Sequence, residues 1–269
     1  MRDRGLRSTL ENAIPPHLLQ DVPNRFDFVG DIAIASIPQS LNDYRFLIAK
    51  AIAGRRGNIR TVLNKTSLVQ GDHRVSDFEI ILGESTVTTH GEYKHRYKMD
   101  VSEVFFNSRL GFERQRVISQ VKEGETILVP FCGVGPFVIP AASKGANVLG
   151  IEKNPAACKW LSENIRLNNV LSNADAVCAD VSDIPNIVNT KFDRIIVPTP
   201  YGMDFFFEIL SPLLKKEGYL HFYTFKVAEE IDSTKMDFIG QGYEVLCVRR
   251  CGNVAAGVSR WAFDLQKHI

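Results

Sequence analysis

Charge of either sign is missing as an excess. In 269 residues, 32 Lys and Arg stand against 31 Asp and Glu, a net of +1. No global field therefore draws the chain to nucleic acid or anionic lipid, and any polyanion site has to be a local patch. Cysteine is scarce and patternless. The five, at 132, 158, 178, 247 and 251, are odd in number and form no CxxC, which speaks against a disulfide framework and against zinc-finger spacing. A reduced, metal-free protein is the expectation. No run approaches the roughly 18 uncharged apolar residues of a membrane span. The opening Met1-Arg2-Asp3-Arg4 leads into polar sequence rather than an apolar leader, so a cytoplasmic protein without membrane contact is expected. A Pro/Ser-rich linker and internal repeats are lacking too. What remains, 45% apolar and 23% charged, is ordinary globular composition and excludes disorder, collagen-like repeats and a coiled-coil rod. The length suits one large domain or two modest ones.

From Ile127 onward, short apolar runs alternate with amphipathic stretches. The runs are Ile127–Phe131, Val148–Ile151, Ala176–Ala179, Arg194–Val197 and Gly218–Tyr223; each reads as a strand buried on both faces. Pro155 to Asn168 carries Ala156, Trp160, Leu161, Ile165 and Leu167 at helical spacing, with Asn154 as N-cap and Pro155 at the first helical position. Met203–Leu214 and Val227–Ile239 read as the next helices, and Tyr243–Val248 and Trp261–Leu265 as closing strands. The alternation is that of a doubly wound, mostly parallel sheet. The front of the chain differs: a half-buried strand over Phe26–Ile37, a helix over Leu41–Ala53, and strands at Ile59–Leu63 and Phe78–Leu82. The expected fold class is α/β, a Rossmann-like domain over 99–269 with a smaller N-terminal α+β domain over 1–98.

Chemistry gathers at the strand ends. Cys132-Gly133-Val134-Gly135-Pro136-Phe137 follows the first strand and opens a helix, where glycines let backbone approach a ligand. The third glycine of a dinucleotide fingerprint is replaced by Val138, and a lone GxG can equally be a tight turn. Glu152 ends the second strand, where a carboxylate can accept both ribose hydroxyls, and Asp180 ends the third, near an adenine edge. Together these fit a nucleoside cofactor without pyrophosphate, and S-adenosyl-L-methionine is the common one. The fourth strand ends at Val197-Pro198-Thr199-Pro200-Tyr201, a corner where prolines turn the chain out of the sheet. Amino-methylating enzymes usually carry an Asn or Asp there; this sequence does not. Upstream, Arg109 and Glu113 share a helix face, with Arg116 a turn beyond Glu113. That spacing suits a surface ion pair, and it also suits a carboxylate placed to take a proton. Residues 44–71 hold Arg45, Lys50, Arg55, Arg56, Arg60 and Lys65 and no acid, a strip that fits phosphates or a solvated face. Arg249, Arg250 and Arg260 extend it if they point the same way.

With FDFVGDIAIASIP, GDHR, DFEIILGE, FFNSRLGFERQRV, PFCGVGPFVIP, GIEKNPAACKWLSENIRLNNV, FDRIIVPTP, GYLHFYTF and VRRCGNVAAGVSRWAFDL in place, the chain resembles the archaeal and eukaryotic tRNA (guanine-N1)-methyltransferases acting at position 37. It also resembles their relatives in wyosine synthesis, including the aminocarboxypropyl transferases. The resemblance implies a class I fold, S-adenosyl-L-methionine as cofactor, and the anticodon arm of tRNA as partner, with neither DNA nor membrane. A monomer is expected. It implies that Glu113 is the general base for guanine N1 and that Arg74 steadies charge on O6. It places Arg109, Phe131, Glu152 and Asn154 beside the donor; the strand-end reading adds Gly133, Gly135 and Asp180 there, and puts Pro198 and Thr199 at the corner beside the base. Two positions depart from the family pattern: Val129 stands where an acid is common in the first strand, and Pro198-Thr199-Pro200 replaces an Asn-Leu-Pro corner. Aminocarboxypropyl transfer, and a non-catalytic member that only binds tRNA or cofactor, stay open as alternatives.

Overall fold

The computed structural model describes residues 5–67 and 76–268. The chain forms two compact units, Met1–Ser108 and Arg109–Ile269. Residue 98 lies within a strand, His95–Asp100.

In the first unit, α1 (Leu6–Leu10) precedes β1 (Phe26–Val29) and β2 (Ile32–Ala35); α2 (Arg45–Ala53) then leads to β3 (Thr61–Lys65) and β4 (Phe78–Leu82). These strands form one sheet in the order β1-β2-β3-β4. The single strand expected over Phe26–Ile37 is a hairpin, with Phe26 opposite Ala35 and Val29 opposite Ile32. Gly30, at φ +57°, makes its turn, and a Cβ there would lie 2.1 Å from Thr88 Oγ1, so only glycine fits. The expected helix over Leu41–Ala53 starts as a 3-10 turn, Gln39–Tyr44, before α2 takes over. Ile48, Ala49 and Ile52 on α2 are buried with Leu6, Leu10, Leu41 and Val62. A second, two-stranded sheet, β5 (Val87–Glu92) and β6 (His95–Asp100), was not expected. Its sequence is mostly polar, and only alternate positions such as Thr88, Tyr97 and Met99 are buried.

The second unit opens with α3 (Gly111–Ser119). Then follow β7 (Thr126–Pro130), α4 (Val138–Ala142), β8 (Asn147–Glu152), α5 (Pro155–Leu167) and β9 (Ala174–Cys178). The chain continues through α6 (Ile184–Ile187), β10 (Phe192–Val197), α7 (Phe206–Leu210), β11 (Leu214–Lys226), α8 (Ile231–Gly240), β12 (Tyr243–Asn253) and β13 (Ser259–Lys267). The strands make one sheet in the order β12-β13-β11-β10-β7-β8-β9, with β11-β10-β7-β8-β9 parallel and β13 and β12 antiparallel at the edge. This is the expected Rossmann-like architecture. The parallel strands are short apolar runs because helices cover both faces, as for Ile127, Leu128 and Val129, all at 0% exposure. From β7 the chain winds one way to β8 and β9, and later the other way to β10 and β11. The sheet therefore reverses between β7 and β10, and a crevice opens beyond their carboxyl ends. Two expected helices are shorter: Met203–Leu214 reduces to α7 and a 3-10 turn over Ser211–Leu213, where Pro212 cannot donate. Val227–Ile239 becomes a 3-10 turn followed by α8.

Candidate active site

The loop after β7 is shaped for a ligand. Phe131 (φ +53°), Gly133 (φ +54°) and Gly135 (φ +96°) all take left-handed backbone. Gly133 N–H donates to Glu152 Oε2 at 2.8 Å, and Asn154 N–H donates to Glu152 Oε1 at 2.9 Å. One carboxylate at the end of β8 thus ties the glycine loop to the start of α5, and each oxygen keeps a lone pair for a further donor. Asn154 is the N-cap as expected, its Oδ1 accepting from Ala156 N–H at 3.0 Å. A Cβ built at Gly133 meets nothing within 4 Å, whereas one at Gly135 would press on Leu161 Cδ1 at 2.6 Å. Gly135 therefore serves packing, and Gly133 borders open space. Asp180 stands at the end of β9, its Oδ1 accepting from Ser182 N–H at 2.8 Å and its Oδ2 3.0 Å from Lys153 Nζ. The Ser182 amide and Lys153 hold its carboxyl below the usual range.

Residues this partly exposed, with a free carboxylate edge, a neighbouring acid and open space over a glycine, fit the ribose and base of a nucleoside. Among the described residues no cluster suited to a metal ion occurs. Val129 is wholly buried opposite Gly150, so an acid in its place would have to be paired inside the sheet.

Glu113, on α3, is only 5% exposed. Arg109 lies in the 3-10 turn before α3, and Glu113 is bound by Arg116, a turn further on. Its Nη2 is 2.7 Å from Glu113 Oε1 and its Nε 3.0 Å from Oε2. Tyr223 OH donates to Oε1 at 2.9 Å, and Arg249 Nε stands 3.4 Å from Oε2. Burial and the Glu113 charge push the Tyr223 phenol well up, so it stays a donor. The Tyr223 ring lies 6.2 Å from that of Phe137, which closes the glycine loop. Because Val197 is opposite Phe222, the Pro198 corner runs beside Tyr223. Glu113, Tyr223 and Phe137 thus meet at the sheet reversal, with Pro198 following in register beside Tyr223.

At that corner Thr199 is buried, and both its N–H and its hydroxyl donate to the Val197 carbonyl, at 2.8 and 3.2 Å. The hydroxyl braces the turn. Asp204, a few residues on, accepts from Thr224 Oγ1 at 2.6 Å through Oδ2, while its Oδ1 is a buried acceptor without a partner.

Behind Glu113 runs a chain of buried polar groups of which only Arg116 stands out in the sequence. Arg116 also pairs with Asp264, through Nη1 to Oδ2 and through Nη2 to Oδ1 at 2.9 Å. Asp264 Oδ1 is 2.7 Å from His221 Nδ1, and His221 Nε2 is 2.6 Å from Arg194 Nη1. Arg194 is held by Glu125 at 2.9 and 3.0 Å. The available signal was a His and an Asp inside otherwise apolar strands, at facing positions of β11 and β13.

The basic strip is partly neutralised within its own unit. Arg45 pairs with Glu79 at 2.6 Å, and Arg60 pairs with Asp31. Arg56 lies 4.0 Å over the Phe28 ring. Arg56, Asn58 and Arg60 border a recess of about 390 Å³ with Phe28, Thr89 and His90. Arg249, Arg250 and Arg260 belong to the other unit, where Arg250 donates to Ser259 Oγ at 2.7 Å and Arg260 lies 4.9 Å over Phe225. Arg74 falls outside the described residues.

Comparison with known proteins puts names beside this geometry. The TRM5/TYW2 methyltransferase domain matches residues 88–241, and the TYW2 N-terminal domain matches residues 6–86. A tRNA (guanine(37)-N(1))-methyltransferase, Trm5b of Pyrococcus abyssi, is 38% identical over 213 residues, covering 79% of this chain. The chain spans 63% of that relative's length, under two thirds. A tRNA(Phe) (4-demethylwyosine(37)-C(7)) aminocarboxypropyltransferase of Pyrococcus horikoshii is 34% identical over 202 residues, 73% of this chain and 71% of that protein. Among solved structures, the complex of aTrm5 with tRNALeu has a TM-score of 0.88 at 26% identity, over 100% of this chain and 79% of that one. Pyrococcus horikoshii TYW2 in complex with MeSAdo has a TM-score of 0.78 at 27% identity, over 97% of each chain.

Proposed function

Because this chain belongs to the TRM5/TYW2 methyltransferase family, we propose that it is an S-adenosyl-L-methionine-dependent tRNA methyltransferase acting on a purine at position 37, guanine N1 foremost. When bound, S-adenosyl-L-methionine supplies an electrophilic methyl group on a sulfonium centre. Glu152 would receive the ribose hydroxyls, Asp180 and its neighbouring backbone would meet the adenine edge, and Phe131, Gly133, Asn154 and Arg109 would frame the rest, with Gly135 holding the loop against Leu161. Guanine N1 is a weak acid and a poor nucleophile while protonated. Glu113 takes that proton, and Arg74 stabilises the negative charge that then develops on O6. Pro198 backs the flipped base, with Thr199 holding the corner in shape. The anticodon arm is held through its phosphates by the basic strip and the recess beside Arg56. The protein works as a monomer in the cytoplasm, and among the described residues no helix is long and apolar enough to cross a membrane.

One observation carries this reading: a buried carboxylate, Glu113, bonded to the tyrosine that packs on the glycine loop. The test is single-turnover methylation of unmodified tRNA. Glu113→Gln should slow transfer by a factor of about 10²–10⁴ while leaving donor binding intact; an unchanged rate across neutral pH removes Glu113 as the base.

A second reading has its own support, since residues 6–86 match the TYW2 N-terminal domain. In it the same fold transfers a 3-amino-3-carboxypropyl group to a wyosine precursor, a choice set by which donor carbon is aimed at the base. Product mass separates the two: methylation adds about 14 Da, the larger group roughly 101 Da, by formula arithmetic for groups placed by donor orientation.

A further inference from the structure

We propose that Arg116 and Asp264 form a charge-balanced clamp that orients Glu113 for proton removal, which makes both of them positioning residues. The inference rests on the reading of Glu113 as the base. A carboxylate that must accept a proton has two conflicting needs. It has to be held in one rotamer, which calls for donors, and a cationic donor at this distance stabilises its charged form and weakens it as a base.

The groups around Glu113 resolve that conflict in a specific way. They include Arg116 on its own helix, Tyr223 on β11, and Arg249 and Cys251 on β12, with Asp264 on β13 behind Arg116. Tyr223 and Cys251 are neutral; burial followed by the Glu113 charge pushes the Cys251 thiol to about 12. Arg249 is a long contact at 3.4 Å from a side chain 36% exposed, where solvent screens it. Arg116 is close, at 2.7 Å, and its fork is divided. One edge serves Glu113 and the other serves Asp264, with Nη2 reaching both at 2.7 and 2.9 Å. The guanidinium therefore gives Glu113 directional bonds while its charge is cancelled by a second carboxylate.

Asp264 is itself fixed from behind. Gln120 Nε2 donates to its Oδ2 at 3.2 Å. His221 meets its Oδ1 with Nδ1, and because a guanidinium can only donate, the Arg194 contact makes Nε2 the acceptor and leaves the ring proton on Nδ1. Burial lowers the imidazole's proton affinity, which keeps His221 neutral. Arg194 is balanced in turn by Glu125. Charge along the row alternates, Arg116 facing Asp264 and Arg194 facing Glu125.

The test is the single-turnover rate against pH with full-length tRNA, for the wild type, Glu113→Gln, Asp264→Asn and the double variant Arg116→Met/Asp264→Leu. Asp264→Asn leaves the Arg116 charge facing Glu113 alone. The acid limb of the profile should then move to lower pH by on the order of one unit, and the plateau should fall roughly threefold to tenfold as the base weakens. The double variant removes charge and countercharge together, a replacement that buried pairs tolerate. Its acid limb should move back up to or above that of the wild type, because the buried Glu113 loses the cation that stabilises its charge, with the plateau still at least about tenfold down because orientation is lost. An Asp264→Asn limb that stays put or moves upward overturns the clamp, as does a wild-type rate in the double variant. Should Asp264→Asn fail to fold, the double variant decides alone. If Glu113→Gln is as fast as wild type, the base assignment itself has failed, an outcome distinct from a slow Glu113→Gln beside an unshifted Asp264→Asn.

Discussion

At the residue scale, two glycines of one loop have opposite tasks. Gly135 is at φ +96° with Leu161 Cδ1 and Ile139 Cδ1 at 2.6 and 3.0 Å from a built Cβ. Gly135→Ala should therefore cost about 2 kcal/mol of stability through strain and overpacking. Gly133 has open space around it at φ +54°, so Gly133→Ala should cost only about 1 kcal/mol and instead weaken donor binding. Thermal melts and calorimetry with S-adenosyl-L-methionine should show the two losses on different substitutions. Asp193 offers a pH test. Burial opposes its ionisation, but Lys215 at 2.8 Å and Thr126 outweigh that and hold its carboxyl at about 2. The unfolded chain binds this proton at about pH 4. Its stabilisation is thus present above pH 4 and lost as pH falls toward 2. Asp193→Asn should lower Tm at neutral pH, with the gap to wild type closing on acidification over that interval.

At the scale of elements, the start of α5 couples fold to site. Asn154 caps the helix through its side chain and bonds Glu152 through its backbone. Asn154→Ala should remove only the first of these, costing about 1 kcal/mol, and Asn154→Ser should recover most of it. If the helix start positions Glu152 for the ribose, donor affinity measured by calorimetry should fall in the alanine variant and recover with serine. The strands were legible as elements because a strand covered on both faces must be a short apolar run, and Ile127–Val129 and Arg194–Val197 are such runs. Helices near proline were read too long, because amphipathic spacing continues through Pro212 where the hydrogen-bond ladder does not. The hairpin of β1 and β2 was read as one strand because alternation runs unbroken through a Gly that turns it.

On the scale of the whole molecule, two units with separate apolar cores should separate as folding units. A fragment of residues 109–269 is expected to melt cooperatively and bind S-adenosyl-L-methionine, while losing most of its tRNA affinity; a fragment that methylates tRNA as well as the full chain would remove the front unit from substrate binding. The sequence alone determined the class of fold, the glycine loop, and the acids Glu152 and Asp180 at strand ends. All of these depend on periodicity and on residues near one another in the chain. Spacing along one helix also singled out Glu113, but as one side of an Arg109–Glu113 pair. Only the folded chain decided that Arg116 holds it, that Tyr223 and Asp264 stand around it, and that Thr199 turns its hydroxyl inward. The contacts of Tyr223 with Glu113 and of Asp264 with Arg116 join residues more than a hundred positions apart. Local patterning carries no record of which strands become neighbours, and sheet order and register supply it.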